Sequence, residues 1–473
     1  MNPLYLCLSL PEVVCYDNDN SALIPDLWAR EGVALLTETT VATRLVNRQF
    51  ENEIREFGDV VNTRRPQRRQ GRRRTDSDSY TVGDAKLTNV RVALDQWFYD
   101  SFVIRDAEAS KSMQSLVQTH LLPAMQNIGR QVDRAILGRI HEFVDVGPTK
   151  RAGRLGQLSS SNARDTLLQA RQILNTNNCP MDGRMLVLAP TSETAFLKTD
   201  LFIQAQQRGD DGMALTKAQL GHILGFDTYM GQNVNSMGVG ISDVATGTVT
   251  NPAAAGATGS QPCSVIGYAA NVGEYAVVAG NDQPSFLVAK TSTTDTTAVT
   301  MNEANANATS AGAAITIYKA CAVSGGYAAG YSKEILVTGW TNAPKAGQMI
   351  AFGTGAGRAV YAVNESTLQS AGVQALLLDR PLVNALSNAD LAFPGPAGDF
   401  NWCFTPNAVA LVSRPLAIPA PDLGVKAAVA NYDDVAIRVV MQYDSSLGGT
   451  RVNIDLLAGV AVLDTLQCVP LLG

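Results

Sequence analysis

Apolar residues recur at helical spacing from about Asp106 to Phe143: Met113, Leu116 and Val117, Leu121, Ala124, Ile128, Val132, Ala135 and Ile136, then Ile140 and Phe143. An unbroken stripe of that kind predicts one long helix. At 1.5 Å per residue it would run roughly 55 Å, longer than a small domain is wide. Asp106 is placed to cap the first amides, and Glu108 lies near the positive end of the dipole. Pro123 stands inside the stripe, where a missing donor and a crowded turn cost about 3 kcal/mol and predict a bend.

Before this helix the pattern alternates. Residues 57–63 (FGDVVNT) and 80–106 show period-two stretches, with Leu87, Asn89, Arg91 and Ala93 set against Thr88, Val90, Val92 and Leu94. They read as the two arms of a long β-hairpin. Between the arms lie seven arginines in eleven residues: Arg64, Arg65, Arg68, Arg69, Arg72, Arg73 and Arg74, with acidic Asp76 and Asp78 just after. So many like charges cannot fold against one another without a partner. A solvated tip, an acidic surface on a neighbouring protein and nucleic acid are the three readings. The protein partner is favoured, because nucleic-acid binding more usually brings stacking aromatics or a wider basic face.

After the long helix the pattern is α+β. Helical spacing returns over 161–175, a buried-strand signal follows at Met185–Pro190, a helix starts at Thr191, and 214–234 reads as a short helix, a Gly225 turn and a strand. From 235 to about 397 charges thin out and short β signals recur between turn residues, which predicts an inserted all-β domain. Within it GTGAGR (Gly353 to Arg358) has the look of a dinucleotide loop, but Arg358 stands in place of the third glycine and no helix pattern follows. Residues 401–416 read as a helix leading to a short strand. Two alternating strands joined at Ser445–Gly449 follow, then an apolar strand to residue 473. The N-terminal stretch is mostly irregular, with a short helical signal at Pro25–Thr37.

Composition narrows the function. The chain has 473 residues, enough for two or three domains, only 17% of them charged, and a net charge of -6. Low charge suits a surface largely covered by other proteins, and the negative balance opposes binding to nucleic acid through the overall field. Leu4, Leu6, Leu8 and Leu10 are not preceded by a basic residue, so no signal peptide is expected, and no run is long and apolar enough for a membrane helix. The seven cysteines form no C-x-x-C pair. Idle buried thiols are the plain reading; Cys7, Cys15 and Cys468 are candidates for cross-links between subunits. Three histidines, two of them twenty-one residues apart on the long helix, offer no metal site, and no nucleophile or phosphate-loop motif is present. No enzyme and no cofactor are expected.

The order of parts carries a resemblance. An N-terminal arm, a hairpin ending in LDQWFYDSFVIRD, a long helix, a body with LVLAPTSETAFL and HILGFDTYMGQNV, a β module with KAGQMIAF, then FTPNAVALVSRPL and IDLLAGVAVLD resemble the major capsid (coat) proteins of tailed bacteriophages. More narrowly, the layout is similar to short-tailed Salmonella-type phage coat proteins, which carry a domain inserted in the Hong Kong 97-like capsid fold. The resemblance implies an α+β fold with an N-terminal arm (1–45), an extended loop (46–105), a spine helix (106–147), peripheral and axial parts (148–234 and 398–473) and the insertion (235–397). It also implies a subunit that assembles with itself into pentamers and hexamers, with scaffolding, portal and decoration proteins as further partners. Such a shell encloses double-stranded DNA without sequence-specific binding. It is assembled in the host cytoplasm and ends in the virion, away from membranes. The alternatives are a DNA-binding or DNA-condensing protein using Arg64–Arg74, and another virion part such as a decoration or tail protein.

Overall fold

The computed structural model describes residues 41–48, 60–65, 73, 76, 88–105, 120–144, 148–203, 218, 220–238, 243–281, 283, 285–290, 295–305, 307–340, 344–370, 372–414, 416–419, 425–432 and 435–473. The expected Pro25–Thr37 helix and the first part of the long helix lie outside these residues.

Among the described residues the longest strand, Gly449–Val462, organises one sheet. Val435–Asp444 pairs antiparallel along its first half and Val409–Arg414 along its second, while Val425–Tyr432 adds outside Val435–Asp444. On the opposite edge lies Gln96–Arg105, in register from Gln96 opposite Ala458 to Arg105 opposite Gly449. This corrects one expectation: the strand read as the end of the hairpin belongs to this sheet. The hairpin itself is Val60–Arg65 paired antiparallel with Thr88–Ala93. Alternation along the strands places Phe98, Ile104, Val452, Ile454, Leu456, Ile437 and Val439 in one core with the helix Leu122–Leu137, which contributes Met125, Ile128, Val132, Ala135 and Ile136. Each of these side chains larger than alanine, fully buried, contributes about 1.5–3 kcal/mol.

The stripe read as one helix to Phe143 is in two pieces. The helix ends at Leu137, and Ile140–Val144 forms a separate short turn of helix. At Gly138 a Cβ would sit 2.9 Å from the Arg134 carbonyl and 2.9 Å from Asp379 Oδ2, so the chain passes the body at a point only glycine fits. Periodicity continues across the break because both pieces face the same core.

A second sheet, of thirteen strands among the described residues, forms the body. One end holds Met185–Leu188, Gly398–Phe404 and Cys468–Leu472, backed by the helix Ala163–Thr176. The other holds Cys321–Ser324, Ile335–Thr338, Gln348–Phe352, Ala359–Ser370, Val373–Leu378 and Leu391–Pro394. Ser236–Met237 joins the two ends, pairing parallel with Gln348–Met349 and antiparallel with Gly398–Asp399. A third sheet, of six strands among the described residues from Val244–Val249 to Ala314–Tyr318, has its own core of Val249, Val265, Val278, Leu287, Val299, Ile315 and Ile317. The 235–397 stretch therefore divides into this satellite module and a second part continuous with the body. Residues 398–408 form the strand Gly398–Phe404 and a 3-10 turn at Pro406–Ala408, where a helix was expected. Phe400, Trp402 and Phe404 enter one core and Cys403 the other, and a strand buried on both faces loses the alternation that would identify it.

Candidate assembly surface

The hairpin leaves the molecule from one particular place. Val92 and Leu94, at its root, are fully buried against Ala410, Val412 and Leu457, with Leu416, Ala461 and Leu463 around them. The root's backbone crosses the long strand at Gly459, where a Cβ would lie 2.3 Å from the Ala93 carbonyl oxygen. A side chain there would lift the hairpin off the sheet. Leu457 belongs to the face opposite the helix, because Ile454 and Leu456 take the inward positions. The hairpin thus springs from the sheet's outer face.

The rest of that face is aromatic and polar. Trp97 is 50% and Tyr99 66% exposed. Between them and the neighbouring strands runs a fixed polar row: Arg438 pairs with Asp455 at 2.7 Å, Trp97 Nε1 donates to Asp455 Oδ1 at 3.2 Å, and Ser101 Oγ donates to Asn453 Oδ1 at 2.7 Å. Large exposed rings held in place by hydrogen-bonded neighbours are typical of contact surfaces. The strand Gln96–Arg105 is also an edge, with no strand beyond it among the described residues.

Two ties hold this surface to the rest of the chain. On the helix, buried Asp133 accepts from the Val41 amide (3.2 Å), Thr43 Oγ1 (3.3 Å) and Asn233 Nδ2 (3.3 Å), which anchors residues 41–48. Burial pushes the Asp133 carboxyl above its ordinary range, and the three donors pull it partly back. Asn47 continues the anchor by bridging to Ala410 beside the hairpin root. At the helix end, Arg380 donates to His141 Nε2 (2.9 Å) and the Val360 carbonyl (2.8 Å), and His141 Nδ1 reaches the Gly138 carbonyl at 2.7 Å. Burial, then the adjacent guanidinium, holds His141 well below its usual value, so it is neutral with the proton on Nδ1. Arg139 donates to the Val460 carbonyl (2.9 Å), one residue from the Gly459 crossing.

The expected site residues fall as follows. Arg64 and Arg65 end the first hairpin strand opposite Asn89 and Thr88, and Arg73 and Asp76 are exposed. Arg68, Arg69, Arg72, Arg74, Asp78, Cys7 and Cys15 lie outside the described residues. Pro123 is exposed at the second position of the helix Leu122–Leu137, directly after a π-type turn at His120–Leu121. Helical backbone runs on ahead of it through Leu121, so its missing amide falls at the junction of the π-type turn and the α-helix, where helices commonly bend. Cys468 is 2% exposed in the sheet opposite Phe404, and burial keeps its thiol protonated. A cross-link to another subunit from there would require its strand to leave the sheet. Asp133, Gly459, Arg380 and His141 carried no signal in the sequence, since their partners lie far along the chain.

Among the described residues no group of three His, Cys, Asp or Glu could hold a metal ion, and no helix is long and apolar enough to cross a membrane.

No family model matches this chain, and no curated protein matches it. Solved structures do. A chain of Mycobacterium phage Che8 overlaps 91% of this chain and 90% of its own length at 12% identity and a TM-score of 0.41. The capsid structure of the cyanophage P-SCSP1u overlaps 90% and 85% at 10% identity and a TM-score of 0.41. That of Staphylococcus phage Andhra overlaps 90% and 84% at 7% identity and a TM-score of 0.39. Overlaps this shallow leave the functional reading to the chain's own geometry.

Proposed function

We propose that the chain is the major capsid protein of a tailed bacteriophage, with a Hong Kong 97-like fold, assembling through pentamers and hexamers into a closed shell around double-stranded DNA. The observation that carries the reading is the hairpin rooted on the outer face of a long-stranded sheet whose inner face is sealed by a helix. A two-stranded hairpin is marginal by itself and gains stability by lying across a partner. The same sheet that launches it presents Trp97 and Tyr99 beside the root, so one copy's hairpin and another's outer face are complementary halves of a contact that repeats around symmetry axes.

In this reading the run Arg64–Arg74 is an electrostatic clasp on acidic residues of an adjacent subunit, and Pro123 is where the spine bends as a precursor shell matures. Cys7 and Cys15 are candidates for cross-links once the particle leaves the reducing cell. Scaffolding, portal and decoration proteins are the further partners.

Expression of the chain, with a scaffolding partner if one is needed, followed by negative-stain microscopy tests the proposal. Uniform shells tens of nanometres across are expected. A monomer whose affinity for DNA falls steeply with salt would replace the proposal with a DNA-condensing role. Serine at Arg68, Arg69, Arg72, Arg73 and Arg74 should leave the subunit folded and weaken assembly, and added salt should mimic the defect. Mutant shells as resistant to heat and salt as the parent would remove the clasp.

A further inference from the structure

The satellite module meets the body through an unusual junction. The chain enters the module at Asp243 and leaves it at Lys319, and the two connections are bonded to each other, the Lys319 amide donating to the Asp243 carbonyl at 3.0 Å. Entry and exit therefore share one point, the geometry of a hinge. Away from it two body arginines reach the module. Arg358 lies over the rings of Phe286 (4.0 Å) and Tyr275 (4.7 Å) on the module and Phe393 (5.4 Å) on the body, and donates to the Gly273 carbonyl at 2.7 Å. Gly273, at φ +101°, lies so close to the Phe393 ring that a Cβ would stand 2.7 Å from it. Arg151 pairs with Glu303.

The contact between these anchors is incomplete. A cavity of about 240 Å³ separates the two bodies, lined by Tyr275, Phe286 and Glu303 from the module and by Met237, Met349 and Arg358 from the body. Two buried atoms of opposite charge on its lining residues have no hydrogen-bond partner, Arg358 Nη2 and Glu303 Oε2. Each group already has one partner, Glu303 in Arg151 and Arg358 in the Gly273 carbonyl, but a buried polar atom without a hydrogen bond is costly, and a rotation about the shared hinge that narrows the cavity would bring these two together. The glycine-rich segment whose dinucleotide reading failed supplies Gly355 and Arg358 to this wall.

We infer that the satellite module is a hinged unit with two docked positions: the open one seen here, latched by Arg358 on its aromatic rings, and a closed one in which Arg358 and Glu303 pair across the cavity. The inference concerns the subunit alone and stands whether or not it forms shells.

The test places spin labels, through bio-orthogonal side chains, at exposed Ile266 on the module and exposed Val383 on the body of the full-length chain, and reads their distance distribution by pulsed EPR. Two distance populations are expected in the parent. Glu303→Gln, which also weakens the Arg151 contact of the open position, should remove the second and leave the first in place, held by Arg358 on its rings and the Gly273 carbonyl. Arg358→Ala should broaden the distribution, and Arg358→Lys should restore a charge but not the flat stacking, leaving it intermediate. Hydrogen exchange over Val244–Val249 and Ala314–Tyr318 confirms that the module's own core stays folded in each variant. A single narrow population in the parent overturns the second position; a distribution unmoved by Arg358→Ala overturns the latch.

Discussion

The hairpin root and the satellite junction are both places where a protruding part is fixed to the body, and they are built in opposite ways. At the root, Val92 and Leu94 interlock with six aliphatic neighbours and the backbone itself presses onto Gly459. At the junction, guanidinium groups, rings and one ion pair surround a cavity. A dry, close-packed contact has one arrangement, because any shift opens voids on one side and clashes on the other. Contacts made by long cationic side chains on flat rings tolerate rotation with little loss. The molecule aims its hairpin rigidly and carries its satellite on a latch.

The comparison can be broken at its strongest point first. Leu94→Ala should cost about 3 kcal/mol in urea denaturation and release the hairpin, raising proteolytic cleavage within residues 60–93. Gly459→Ala, which adds one methyl against the Ala93 carbonyl, should cost about 2 kcal/mol and impair assembly more than its stability loss explains. Equal assembly from either variant would mean that the root does not aim the hairpin.

Asp133 sharpens the rigid side by pH. Its folded-state value is raised, so the native protein binds the proton more tightly than the unfolded chain. Its contribution is therefore most favourable below the ordinary carboxylate range and declines as pH rises through the raised value. Asp133→Asn should flatten that decline, seen as melting temperature against pH from about pH 4 upward. A parent and variant with parallel profiles would show that the carboxyl is not burdened by burial. The smallest effect on folding is expected at Tyr99→Ser, within about 0.5 kcal/mol because the ring is exposed, yet assembled particles should become scarce or salt-labile. Unimpaired assembly would take the outer face out of the contact.

Where one side of an element faces water or a single core, its pattern was readable. The helix Ala163–Thr176 and the first hairpin strand lie within a few residues of their signals, and the short strand Met185–Leu188, buried on both faces, was legible as a continuous apolar run. Reading failed where a strand buried on both faces runs long enough to pass for a helix, where a strand continues past the hairpin into another sheet, or where the core continues past a break. Gly398–Phe404 is apolar on both faces and passed for a helix, and the stripe through Phe143 runs on across Gly138 because both helical pieces face the same core. Of the candidate assembly surface, the arginine run and the alternating strands around Trp97 were legible as composition and period. Which face the hairpin leaves from was not, since it depends on Ala93 crossing Gly459, more than 360 residues later.

By itself the sequence determined many of the local elements, the separation of a charge-poor β stretch from an α+β body, and the placing of an arginine run at the far end of the first hairpin strand, because these follow from side-chain period and charge along the chain. The tertiary structure decided that the strand after the hairpin joins the sheet of Gly449–Val462, that the β stretch splits into a satellite and a part of the body, and that Arg358 lies over the rings of Tyr275 and Phe286. Those outcomes rest on strand pairing and ring contacts between distant segments, whose energies depend on what the folded chain brings alongside and leave no period in the sequence.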